Sequence, residues 1–274
     1  MSRPEPELTY ESYLRLPELL SLQTPRSHPP AHDELQFIIV HQAYELWFCL
    51  LIYEVRTIIT SLQTGNVQGA IWLLRRLIEI ERVMTQQVQI LETMSPARFL
   101  EFRDLLKPAS GFQSVQFREL EFLSGLRDEH FLAVFAKDEE AHQRLRAALD
   151  GPNLWSAFCD FLRSRGFDVT DAERQLEAVA QIYADPQYLD LHQLCEALME
   201  YDEQFRAWRA RHALMAERLI GAKPGTGALH TSQLTGQASF QEPGVRYLQS
   251  RVGTRFFPIL WEVRTQLGGG SYGG

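Results

Sequence analysis

Apolar residues recur every three to four positions along most of the chain, which is the period of a helix with one buried face. Few windows alternate with period two and runs of β-branched residues are scarce, so we predict an all-α fold with no internal repeat. Caps and breakers place the helices at Leu8–Leu22, Asp33–Gln63, Val67–Thr93, from Ser95-Pro96 onward, Gln113–Leu123, Lys137–Leu149, Asn153–Arg165, Asp171–Ala184, Gln187–Ile220 and Val245–Leu267.

Two of these predicted helices, Asp33–Gln63 and Gln187–Ile220, are long enough to form the centre of a bundle. No linker is long enough to divide the chain, so residues 1–274 are predicted to form one domain. Within it we distinguish an N-terminal segment, residues 1–31, an irregular segment rich in Gly, Thr, Ser and Gln, residues 225–244, and a flexible tail, residues 268–274.

Composition narrows the class of protein. With 45% hydrophobic and 23% charged residues, the 274-residue chain can bury a large core and stay soluble. The net charge of -8 argues against nucleic acid or an anionic membrane as partner. Cys49, Cys159 and Cys195 have neither paired nor metal-ligand spacing, which favours a reducing compartment. No apolar stretch follows Arg3, so we expect no signal peptide and a cytoplasmic protein.

The most hydrophobic stretch, Phe37–Val55, is long enough to raise the question of a membrane span. It contains His41, Gln42, Glu45 and Glu54, and a transmembrane helix of that length rarely carries so many polar groups. We interpret it as the central helix of a soluble core.

His41 is the most informative of the eight histidines because it lies in that apolar helix. A polar ring there must be hydrogen-bonded or functional. Phe37 and Glu45 lie one turn to either side of it on the same helix face. The residues alone leave open a satisfied core histidine and a functional site.

Three further positions have a structural and a functional interpretation. His212 is either an exposed helical histidine or part of a site whose flanking arginines, Arg209 and Arg211, neutralise an acidic ligand. Arg103, one turn from Phe99, is either a surface arginine or a clamp for a carboxylate. Gly225-Thr226-Gly227 is either a helix cap and turn or a small anion site.

Other metal chemistries lack their sequence patterns. A ferritin-like di-iron bundle needs two Glu-x-x-His pairs, and we find only Glu139-x-x-His142 in a strongly charged segment. There is no Cys-x-x-Cys-His, no His-Glu-x-x-His and no glycine-rich phosphate loop.

Several stretches together resemble the tryptophan 2,3-dioxygenase family, and they follow the family's order along nearly the whole chain. The most specific are the His-Gln-x-x-Glu-Leu-Trp block at 41–47 and the Ser-Gly-Phe-Gln-Ser block at 110–114. The others are Tyr10-x-x-Tyr13-Leu14, His32-Asp33-Glu34-Leu35, Phe99-x-x-Phe102-Arg103, Trp208-Arg209-x-Arg211-His212, Gly225-Thr226-Gly227 and residues 256–265.

The resemblance implies an all-helical homotetramer that binds haem b non-covalently. It implies that ferrous haem activates O₂ and that the pyrrole ring of L-tryptophan opens to give N-formylkynurenine. His212 would be the proximal ligand of the haem iron. His41 would be the distal catalytic residue and would accept a hydrogen bond from the indole N–H.

The same resemblance implies the substrate contacts. Phe37 would pack against the indole, Arg103 would pair with the substrate carboxylate, and Thr226 would hold the amino-acid end. Tyr10, Tyr13 and Leu14 would reach into a neighbouring subunit's pocket. Phe99 stands where some relatives carry Tyr, so a hydroxyl contact is absent there.

The chain departs from the family at Ala228–Pro243, where the family has a short turn, and at Cys49, where relatives usually carry Lys. Residues 225–244 would form the lid over the substrate, and their longer form is either a neutral insertion or a change of substrate. Two alternatives therefore stay open. One is a biosynthetic relative that acts on a substituted tryptophan, for example as a monooxygenase giving an oxindole, and the other is a non-catalytic haem or tryptophan sensor.

Overall fold

The computed structural model describes residues 7–221, 223, 225–226 and 244–267. These residues form twelve α-helices and no strand, which confirms the all-α prediction. The helices are α1 Tyr10–Leu14, α2 Leu16–Leu19, α3 Glu34–Gln63, α4 Val67–Glu92, α5 Pro96–Leu100, α6 Val115–Ser124, α7 Glu139–Asp150, α8 Leu154–Ser164, α9 Ala172–Ala184, α10 Leu189–Ile220, α11 Gly244–Val252 and α12 Pro258–Gln266. Short 3₁₀ turns lie at Arg103–Leu106, Gly111–Gln113, Glu129–Phe135 and Pro186–Tyr188.

Three long helices make the centre of the fold, and α4 packs against both α3 and α10. Thr64, Gly65 and Asn66 join α3 to α4, with Gly65 at φ +77° and the Asn66 side chain capping α4 at Gly69. So short a connection makes α3 and α4 antiparallel neighbours. Ion pairs of Arg82 with Glu200 and of Glu92 with Arg211 show that α4 and α10 run in the same direction.

The core of these helices is apolar and closely packed. Leu51, Val55 and Ile58 on α3 and Leu74 and Leu77 on α4 are fully buried. A smaller cluster of Met94, Phe99 and Phe102 lies beside the main one. Phe37 and Leu219 pack against both clusters, so the two are continuous in space.

By length and composition, α3 could cross a membrane, and it is the one helix among the described residues of which this is true. Buried helices of soluble proteins have the same composition. This helix buries Glu34 and Glu54, and Glu54 is ion-paired with Arg76 of α4. The contacts fit the interpretation of a core helix.

Three predicted helices were wrong in extent. Leu8–Leu22 is two short helices, because Arg15 adopts a left-handed conformation at φ 52° and Pro17 can only begin a new helix. Val245–Leu267 is also two helices, since Pro258 starts α12 and cannot continue α11. The helix from Pro96 ends at Leu100, so Arg103 does not share a helix with Phe99 but begins the next 3₁₀ turn.

Candidate active site

A cavity opens between α3, α6, α10 and α11, and it contains about 1330 Å³ of empty space counted out to its mouth. The residues that line it come from segments far apart in sequence, from His41 to Arg251. Packing of the folded chain therefore assembles the cavity from these distant segments.

His41 lies on α3 with its ring in the cavity wall. Its Nδ1 lies 2.7 Å from the carbonyl oxygen of Phe37 and must donate there, because a carbonyl only accepts. Burial lowers the pKa of His41, although the Phe37 carbonyl and the Glu45 carboxylate oppose that shift. At neutral pH the ring is therefore neutral, and its Nε2 is a hydrogen-bond acceptor.

His212 lines the same cavity from α10. Its ring stacks on that of Trp208, with centroids 5.3 Å apart and planes within 12°. Burial, helped by repulsion from His41, lowers the pKa of His212 to about 4. A neutral imidazole keeps a free lone pair at physiological pH, which is the state that binds a metal ion.

An aromatic group lies beside His41. Phe37 packs against the His41 ring at a centroid distance of 4.0 Å and against Phe99 at 5.7 Å. Phe99 lines the cavity, whereas Phe37 lies behind His41 and is not among the lining residues. Phe37 thus supports the cavity wall, because it packs against both His41 and Phe99 and its carbonyl accepts the His41 hydrogen bond.

Arg103 lines the cavity next to this aromatic group and is only 7% exposed. An arginine stays charged in proteins, so its charge is held in a largely apolar wall. Its planar fork suits a carboxylate ligand. Because Arg103 is buried, it is not the ordinary surface arginine that the sequence left as an alternative.

Thr226 completes the mouth of the cavity. Its hydroxyl donates a 2.7 Å hydrogen bond to the carbonyl of Ala109, which joins it to the Ser110-Gly111 segment. A Cβ built on Gly244 would lie 3.3 Å from the Cα of Gly225, so the chain on either side of the segment 226–243 meets at one point. The predicted contribution of Gly227 and of residues 228–243 lies outside the described residues.

A cationic group at another part of the wall was missed from the sequence. Arg118 and Arg209 both bind the buried Glu121, at 2.5 Å and 2.8 Å. Although burial works to raise it, these two arginines hold the pKa of Glu121 below its ordinary value. Arg251 on α11 adds a third positive charge and lies 3.7 Å from the more exposed Asp128.

Part of this group carried a sequence signal. Arg209 and Arg211 flank His212 in the chain, and both were candidates to neutralise an acidic ligand. Arg209 lines the cavity, but Arg211 pairs with Glu92 on α4 and does not line it. Arg118 and Arg251 come from other helices, so spacing along the chain could not have linked them.

Tyr10, Tyr13 and Leu14 do not line the cavity of their own chain. They form most of α1, where they are 76%, 71% and 40% exposed. Among the described residues, no group of three or more His, Cys, Asp or Glu side chains is arranged to hold a metal ion. Glu139 and His142, the partial di-iron pattern, therefore belong to no such group.

Comparison with known proteins gives a consistent result. A family model described as Tryptophan 2,3-dioxygenase matches residues 2–158 and 161–267. Proteins named tryptophan 2,3-dioxygenase from a Nocardioides species and from Caulobacter vibrioides are 46% and 40% identical, covering 95% of this chain and 95% and 99% of their own. One from Herpetosiphon aurantiacus is 38% identical, covering 95% of this chain and 98% of its own.

Proposed function

The chain belongs to the tryptophan 2,3-dioxygenase family, and from that premise we propose that its cavity binds haem b and L-tryptophan. The reaction is the opening of the indole pyrrole ring with O₂ to give N-formylkynurenine. The observation that carries the proposal is the presence of two neutral histidines, His41 and His212, and the buried Arg103 in the wall of one cavity. The comparisons do not favour the alternative, a monooxygenase acting on a substituted tryptophan.

The residues present fit a haem group. The Nε atoms of Arg118, Arg209 and Arg251 and the hydroxyl of Tyr247 are buried and have no hydrogen-bond partner among the described residues. Buried donors of this kind normally bind something. With Glu121 and Asp128 counted, the group still carries a net positive charge, which suits the carboxylates of a porphyrin.

His212 is the residue proposed to hold the iron. Its ring is neutral and is oriented by stacking on Trp208. When bound, the haem supplies the oxygen-activating chemistry, and the protein supplies orientation and a dry pocket.

The other wall residues are proposed to bind the amino acid. Nε2 of His41 accepts the indole N–H, because Nδ1 is already committed to the Phe37 carbonyl. Arg103 binds the carboxylate and Thr226 holds the amino-acid end, and both residues line the cavity. Phe99 contributes apolar surface, and Phe37 contributes by packing behind His41. Holding the substrate in one orientation lowers the activation barrier, because the translational and rotational entropy has already been lost on binding.

We also propose that the chain works as a homotetramer and that α1 covers the pocket of a neighbouring subunit. Tyr10 and Tyr13 are large side chains that are more than two-thirds exposed on a short helix whose main contact within the described chain is with α2. Contiguous exposed apolar residues mark interaction sites. Cytoplasmic location remains a prediction, supported by three free cysteines.

The test is the mass of the product formed from L-tryptophan by the reduced, haem-loaded protein under ¹⁸O₂. We expect a product that carries two atoms of ¹⁸O and has the absorption of a formylated aryl ketone. A product carrying one atom would contradict the dioxygenase reaction. Tight haem binding without turnover would support the sensor instead.

A further inference from the structure

One face of α10 holds the chain segment that joins α11 to α12. Asp202 is completely buried, and its carboxylate accepts two hydrogen bonds from that segment and one from α12. The donors are the backbone N–H of Phe256 at 3.0 Å, that of Phe257 at 3.2 Å and the indole N–H of Trp261 at 2.8 Å. A carboxylate bound by three N–H groups fixes the position of all three.

Two arginines extend the same contact along α10. Arg206 lies over the Trp261 ring at 4.6 Å and donates to the Val252 carbonyl at 3.4 Å. Arg209 donates to the Thr254 carbonyl at 3.1 Å. Residues 202, 206 and 209 are spaced by four and three positions and so share one helix face.

The segment held in this way directly follows a wall of the cavity. Helix α11 contributes Val245, Tyr247, Leu248 and Arg251 to the lining. Arg251 is only five residues before Phe256, the first residue bound by Asp202. The Asp202 contact therefore lies close in sequence to the end of α11 that carries Arg251 and restricts where that end can lie.

We propose that Asp202 is a positioning residue that fixes α11 against α10 and thereby sets the cationic group Arg118, Arg209 and Arg251. It touches neither of the proposed ligands. That this cationic group binds the haem carboxylates rests on the proposed function. Helix α10 would then hold the iron through His212 and the adjoining α11 wall through Asp202.

The chemistry of the contact explains why an aspartate stands there. Helix α12 begins at Pro258 and its cap residue, Phe257, has no side chain able to cap it. Asp202 supplies the negative group near that helix N-terminus, where the helix dipole stabilises it. An asparagine would have one acceptor oxygen and would place an NH₂ group against the N–H donors.

The experiment compares Asp202→Asn and Trp261→Phe with the wild-type chain. Trp261→Phe keeps both backbone donors and is the milder change. The control is Asp190→Asn, on the same helix, where the partly exposed carboxylate pairs with Arg165 at 2.9 Å. Three quantities are measured: haemin affinity by Soret titration, amide hydrogen exchange by mass spectrometry, and the KM for L-tryptophan of the haem-loaded enzyme.

We expect Asp202→Asn to weaken haemin binding about tenfold or more, as is usual when a supporting partner of a metal site is lost. Exchange should become faster in residues 244–257 and stay unchanged in α3 and α4. The KM for L-tryptophan should change less than the haemin affinity, because Arg103 and Thr226 lie on other segments. Trp261→Phe should change the haemin affinity and the exchange of residues 244–257 in the same direction but by less. Asp190→Asn should change neither.

Unchanged haemin affinity and unchanged exchange in residues 244–257 would overturn the inference. So would faster exchange throughout α3, α4 and α10, because that would make Asp202 a residue of general stability. If the wild-type chain binds no haemin, the proposed function fails instead. The exchange of residues 244–257 then still decides whether Asp202 fixes α11.

Discussion

His41 donates from Nδ1 to the carbonyl oxygen of Phe37, 2.7 Å away and one helical turn earlier. The contact determines the tautomer, so that only Nε2 can accept a hydrogen bond from a ligand in the cavity. Phe37 therefore orients the catalytic candidate with its backbone while its ring packs against the imidazole.

Replacement of His41 by Phe should lower kcat/KM for L-tryptophan about tenfold, the value of a hydrogen bond of roughly 1.4 kcal/mol. The acceptor is lost while a ring of similar size remains. 1-Methyltryptophan, which has no indole N–H, should be turned over equally by both proteins. His130→Phe, at an exposed position, is the control. An equal loss for both substrates would show that His41 does not accept from the indole.

His212→Ala should abolish stable haem binding, because the iron would lose its protein ligand. The Soret band of the haemin-titrated protein measures this, and added imidazole should restore it in part. His192→Ala, earlier on the same helix, removes a histidine whose ring packs against Tyr183 at a centroid distance of 4.6 Å, and it should have no such effect. A Soret band of normal position and affinity in His212→Ala would reject the assignment.

Arg103→Met should raise the KM for L-tryptophan about 10- to 100-fold, as expected for a charge-assisted hydrogen bond of about 1.5–3 kcal/mol. Tryptamine has no carboxylate, so its kcat/KM should be the same for both proteins. Arg98→Met, on the exposed side of α5, is the matched control. If tryptamine suffers the same loss as tryptophan, Arg103 contributes to the fold of the cavity and does not bind the carboxylate.

Gly244→Ala should raise the KM for L-tryptophan about three- to tenfold. The added Cβ would lie 3.3 Å from Cα and 3.4 Å from N of Gly225. Because these are backbone atoms, relief of the contact requires the Gly225 backbone to move, which would displace the neighbouring Thr226. Small displacements of binding groups have effects of this size or larger. Gly253→Ala meets nothing within 4 Å and should leave KM unchanged. Equal kinetics for the two variants would show that this contact does not position Thr226.

Glu81 should make the protein less stable as pH rises. It is completely buried on α4, both of its oxygens lack a partner among the described residues, and burial raises its pKa to about 8, with Arg209 opposing the shift. The folded state therefore keeps a proton that the unfolded state releases above about pH 4.5. The contribution of protonated Glu81 to the free energy of unfolding is therefore largest below that pH and is lost as the pH rises towards 8.

Urea unfolding at pH 5.5 and 7.5 measures this effect. The free energy of unfolding should fall by up to about 1.4 kcal/mol per pH unit through Glu81 alone. Glu81→Gln should remove that part of the slope, while the exposed Glu79→Gln should keep it. The same slope in wild type and Glu81→Gln would mean that Glu81 is ionised in the folded protein.

The sequence by itself was enough to determine the helical class and most helix bounds. Periodicity reports which face of a helix is buried, and caps such as Asn153 and Asp171 act locally, so both can be read along the chain. His41 was recognisable for the same reason, as a polar ring in an apolar helix. The resemblance also pointed to His212, Arg103 and Thr226, all of which line the cavity.

Only the tertiary structure decided which of these groups meet, because contacts between distant segments depend on packing and not on spacing. It placed Phe37 behind His41, broke the last predicted helix at Pro258, and left α1 exposed. It also joined Arg118, Arg209 and Arg251 around Glu121, although they come from three helices. Three positive charges stay close together only because packing of the core holds their helices in place. The favourable free energy of that packing comes from contacts between distant segments, so no local sequence pattern predicts it.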